Sequence, residues 1–177
     1  MKIWPVVASV ILAVASAHAQ TPYAGMQTRT IKALSEQQVG DLKAGRGMGL
    51  ALAAELNGYP GPAHVLELAD KLELSTAQRS EVQRLFDSMK VEATPLGIRL
   101  IEQEADLDRQ FAGRTVTPES LKAATAAVAT TQGTLRETHL KYHLSTAALL
   151  NSAQMVKYAE LRGYSGDGGA GGHKHRH

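Results

Sequence analysis

Between Val82 and Phe111 the chain places Val82, Leu85, Phe86, Met89, Ala93, Leu96, Leu100, Leu107 and Phe111 at spacings of three, four and seven. Apolar residues repeating in this way line one side of a 3.6-residue helix, whereas one face of a strand repeats every two. A second stripe of the same kind follows the turn Gly113–Val116: Leu121, Ala124, Val128, Leu135, Tyr142 and Leu149. Two long apolar stripes joined by so short a turn must fold back on each other to leave water. The spacing predicts an all-α fold built on a long antiparallel helical hairpin. Pro95 lies inside the first stripe, where its ring crowds the carbonyl four residues earlier, so a kink is expected there.

Shorter helices should flank this pair, and capping boxes mark where they start. Leu34-Ser35-Glu36-Gln37-Gln38 opens a helix that meets Gly45-Arg46-Gly47-Met48-Gly49, resumes through Leu50–Leu56 and ends at Asn57-Gly58. The rigid turn Tyr59-Pro60-Gly61-Pro62 precedes a second helix expected over about 63–74, with Val65, Leu68, Ala69 and Leu72 on its stripe. A second box, Leu74-Ser75-Thr76-Ala77-Gln78, opens the first long stripe. Thr117-Pro118-Glu119 opens the next, and Leu150-Asn151-Ser152-Ala153-Gln154 opens a terminal helix ending at Gly163. The helical domain is therefore expected over 30–164. A flexible leader over 20–29 precedes it, and a disordered Gly- and His-rich tail over 165–177 follows.

The first nineteen residues read as an export signal. Lys2 supplies a positive start, 6–17 form an apolar run, and Ala17-His18-Ala19 offers small residues where a signal peptidase inspects them. Cleavage is expected before Gln20, releasing the chain into a periplasm.

Several functions are disfavoured by composition and motif. With no cysteine there is no disulfide framework, thiol nucleophile or thiolate metal site. Lys and Arg number 19 against 17 Asp and Glu, too even a balance for a protein that grips nucleic acid. No G-x-S-x-G or H-E-x-x-H occurs, so no enzyme and no organic cofactor is expected. Gly45, Gly47 and Gly49 follow no strand and precede no G-K-[ST], so they suit a hinge or a close helix crossing better than a phosphate loop.

The most suggestive chemistry is Thr138-His139-Leu140-Lys141-Tyr142-His143. Histidines four apart share one helix face, about 5–6 Å between Cβ atoms, which suits two imidazoles on one ion. With the turn near residue 115, antiparallel register sets His143 opposite Asp87 and His139 opposite Glu92, with Met89 between. His139, His143 and a carboxylate from Asp87 or Glu92 would suit a divalent transition metal: zinc, nickel, cobalt or copper. His139 also continues the Leu135–Tyr142 stripe and reads equally well as a packed, hydrogen-bonded histidine. His64 and Glu67 are a weaker pair of donors, and His173, His175 and His177 could capture ions loosely.

The boxes at 74–78 and 150–154 also carry a resemblance. An exported all-helical chain with one such box opening a long hairpin and another opening a terminal helix resembles the Spy/CpxP family, whose signature is a repeated L-T-x-x-Q. Ser75 and Asn151 stand where that signature has threonine, and both are competent caps. The resemblance implies a periplasmic stress protein: a metal-responsive or heavy-metal-resistance protein, or an ATP-independent chaperone that holds unfolded envelope proteins. A homodimer is expected, with unfolded envelope proteins or a membrane stress sensor as the partner.

Overall fold

The computed structural model describes residues 23–164. The expected signal segment 1–19, the first residues of the leader and the tail 165–177 lie outside the described residues. Six α-helices follow in order: α1 (Glu36–Lys43), α2 (Leu52–Glu55), α3 (Pro62–Glu67), α4 (Thr76–Ala112), α5 (Pro118–Ala147) and α6 (Ser152–Leu161). In the leader, Met26–Thr28 form one 3-10 turn, and the Thr28 hydroxyl donates to the Gly25 carbonyl. Among the described residues the only extended pairing is an isolated bridge between Ile31 and Leu34, so the fold is all-α.

The helices begin where the capping chemistry sets them. Ser35, Ser75 and Asn151 each accept the amide three residues on, and Gln38, Gln78 and Gln154 each reach back to the amide of the cap. Thr117 and Ser120 form a fourth box ahead of α5. Between the boxes the outcome differs in two places. The segment expected to be helical over Leu50–Leu56 keeps only the single turn of α2. The helix expected over 63–74 stops at Glu67 and continues as turns, with Glu73 in the left-handed region at φ 51°. Leu72 still packs beside Val65, Val82 and Tyr158 in one buried cluster.

α4 runs through Pro95 as one helix of 37 residues, about 55 Å at 1.5 Å per residue. α5 packs along it, α3 packs on it as well, and α1 crosses it between Ala93 and Leu100. Leu42, Ala93, Leu100 and Leu135 form one core cluster, and Leu85, Met89 and Tyr142 form another. α1 approaches so closely that the Leu42 carbonyl oxygen occupies the space a side chain at Gly97 would need. The buried part of the α4 stripe ends at Leu100. Leu107 is only half-buried and Phe111 is 54% exposed, because α1 and α3 do not extend over this end.

The second and third boxes also bind each other. The Gln78 side-chain amide donates to Gln154 Oε1 at 2.9 Å and to the Leu149 carbonyl at 2.8 Å. Gln154 returns a bond to Gln78 Oε1 at 3.2 Å and donates to the Leu72 carbonyl. One side chain thus caps its own helix and fastens it to the other. Among the described residues no helix is long and apolar enough to cross a membrane.

Candidate metal centre

His139 and His143 project from the same face of α5 into a cleft of about 220 Å³. The cleft is closed by the loop between α1 and α2, by the start of α3 and by the segment after α6. Two turns of the chain make this possible. Gly45 and Gly49 adopt left-handed backbone on either side of Met48, and the loop they shape lays Gly47 on the His139 ring, where a Cβ would sit 3.3 Å from Nδ1. Pro60-Gly61-Pro62 then passes across His143. A Cβ on Gly61 would sit 2.6 Å from His143 Nε2, so glycine is the only residue that fits without a shift.

The two imidazoles have different surroundings. His143 Nδ1 lies 2.6 Å from the Tyr59 carbonyl oxygen. A carbonyl can only accept, so Nδ1 carries the proton and Nε2 carries the lone pair. A metal-ligating histidine is commonly held this way, by a carbonyl on the ring nitrogen facing away from the ion. His139 is 2% exposed, and its Nε2 is buried with no hydrogen-bond partner. Burial, with the neighbouring charge of His143 adding to it, pulls the His139 imidazole below its usual range, which favours the neutral, ligating form.

The acid nearest His143 is Glu55, 3.7 Å from Nδ1 and only 7% exposed. It accepts from the hydroxyls of Tyr158 and Tyr164, pairs with Arg162 and takes the Gly61 amide at 3.3 Å. Burial first, then this carboxylate, push the Tyr158 hydroxyl well above the ordinary phenol range. Glu55 thus ties α2, α3, α5 and the end of α6 into one polar knot behind the cleft.

The structure brings together His139 and His143 but neither expected carboxylate. Asp87 is exposed on α4 and accepts from Gln83 at 3.0 Å. Glu92 accepts from the Tyr142 hydroxyl at 2.7 Å and pairs with Lys141, and these partners, Lys141 foremost, hold its carboxyl below the usual range. The expected register set Glu92 against His139; it lies about one helical turn further along α5. His64 lines the cleft but bonds Glu67 at 2.9 Å. Among the described residues no three His, Asp or Glu side chains form a preassembled ligand group. Two thioethers, Met48 and Met89, complete the lining that a metal could use.

Sequence reasoning passed over Glu55, although Ala51, Ala54 and Glu55 fall at i, i+3 and i+4, the spacing of one buried face. Comparison with protein-family models, with curated proteins and with solved structures gives no match to this chain.

Proposed function

We propose that this chain is an exported, periplasmic metal-binding protein that captures a transition-metal ion between His139 and His143. The observation that carries the reading is His139 Nε2, buried without a hydrogen-bond partner on a side chain that lines the cleft. An unsatisfied buried nitrogen costs about 1–3 kcal/mol, and a bound ion would repay that cost. The tautomer set by Tyr59 supports the same reading, since it leaves His143 Nε2 with a lone pair to give. Glu55 supplies negative charge nearby without being a ligand. The pairing of α4 with α5 through Glu92, Tyr142 and Lys141 supports the long antiparallel hairpin as the frame that carries this face.

The test is calorimetric titration of the full-length chain, with His173, His175 and His177 replaced by alanine, against zinc, nickel, cobalt and copper. One ion per chain at micromolar affinity is expected, and His139→Gln should abolish it. No binding by any of the four would overturn the reading and leave the chaperone expectation as the better one.

A further inference from the structure

Most donors near the cleft already hold a partner. Glu55 is held by Tyr158, Tyr164 and Arg162, and His64 bonds Glu67 through Nδ1, which leaves its Nε2 as a further imidazole donor in the lining. Asp87 and Glu92 are bound elsewhere on α4 and α5. Beside His139 and His143 the same lining holds two thioethers, Met48 and Met89. Nitrogen alone would suit several divalent ions, but thioether sulfur is soft and binds hard divalent ions poorly.

Met48 is the less ordinary of the two. Its backbone stands in the left-handed region at φ 43°, which β-carbon-bearing residues seldom adopt, just ahead of Gly49, which adopts it freely. It remains 41% exposed rather than buried as an apolar residue of its size would be. Met89 reaches the cleft from α4 on the opposite side and is nearly buried, beside Leu85 and Tyr142. Both methionines also line the adjoining cavity beside Phe86 and Lys90. Backbone strain at an exposed apolar residue that lines a cleft with an orphaned imidazole is the kind of arrangement a ligand site retains.

Resting on the metal-binding reading above, we infer that the ion this cleft selects is cuprous copper, held by His139 and His143 with Met48 and Met89. No covalent or redox step is involved; the site holds the reduced ion as it arrives.

Anaerobic competition with bicinchoninate for Cu(I) tests it, run beside zinc titrations on the same full-length chain with the tail histidines replaced. Met48→Leu and Met89→Leu are each expected to weaken Cu(I) binding by about tenfold or more and to move zinc affinity by less than about twofold. Leucine conserves the volume, so the metal-free melting temperatures should match wild type, and Met155→Leu, outside the cleft, should change nothing. X-ray absorption of the copper-loaded chain should show sulfur as well as nitrogen neighbours. Zinc, nickel or cobalt binding with no Cu(I) binding, Cu(I) affinity unmoved by both methionine variants, or a copper shell without sulfur would overturn this inference while leaving the metal reading intact. No binding by any ion overturns both.

Discussion

His143 donates its Nδ1 proton to the Tyr59 carbonyl oxygen across 2.6 Å, joining the middle of α5 to a turn 84 residues earlier in the chain. The bond requires Pro60-Gly61-Pro62 to lie flat on the ring. Gly61→Ala should drive a methyl into Nε2 and destabilise the fold by about 1–3 kcal/mol, the usual cost of overpacking. Gly133→Ala is the control. Nothing stands within 4 Å of that position, so alanine should gain about 0.5–1 kcal/mol from helix propensity. Urea unfolding of the two variants should move the midpoint in opposite directions.

A second glycine tests the crossing of α1 over α4. At Gly97 the obstacle is the Leu42 carbonyl, which is backbone and cannot rotate away. Gly97→Ala should therefore cost more than Gly61→Ala, about 3 kcal/mol or above, by forcing the two helices apart. Thermal melting of the two proteins ranks them. Equal losses would mean that α1 moves aside freely.

The paired glutamines predict coupling. Ser75→Ala and Asn151→Ala should each cost about 0.5–2 kcal/mol as lost caps. Gln78→Ala and Gln154→Ala share one bond pair, so the double variant should lose less than the sum of the singles, by about 0.5–3 kcal/mol. A double-mutant cycle reads this directly, and strict additivity would contradict it.

The buried His139 gives stability a pH dependence in the metal-free protein. Its folded pKa lies below the usual 6.5, through burial first and His143 second. As pH falls through about 6.5 the unfolded chain takes up a proton that the folded one refuses, so stability drops with pH until the folded value is reached. Above the unfolded pKa the contribution is fully present. His139→Gln should flatten that part of the profile below about pH 6.5, measured by denaturant midpoints in the presence of a chelator.

The helices were legible because each starts with a local device. Ser35, Ser75, Thr117 and Asn151 cap within four residues, and such signals need no knowledge of the rest of the chain. The pairing of His139 with His143 was equally local. Register across α4 and α5 was not. Glu92 meets Tyr142 rather than His139 because packing of Met89, Leu85 and Tyr142 sets the offset, and counting from the turn cannot see that packing. Phe111 continues its stripe in sequence yet faces solvent, since periodicity reports which face is apolar and not how far a neighbour extends along it. Glu55 was hidden for a related reason. A carboxylate in an alanine-rich turn reads as surface until Tyr158, Tyr164 and Arg162 arrive from more than a hundred positions away.

The bond between Gln78 and Gln154 fixes which parts of the molecule can open together. α6 carries Tyr158, and the residues just beyond it, Arg162 and Tyr164, form part of the cleft wall around Glu55. Lifting the terminal helix would break the glutamine pair, loosen the first turn of α4 and withdraw Tyr158 from Glu55 in one event. Amide hydrogens at the start of α4 and along α6 should then exchange with a common opening rate, slower than that of the outer end near Phe111. Two glutamine side chains thus tie the undocking of the terminal helix to the fraying of the longest helix in the fold.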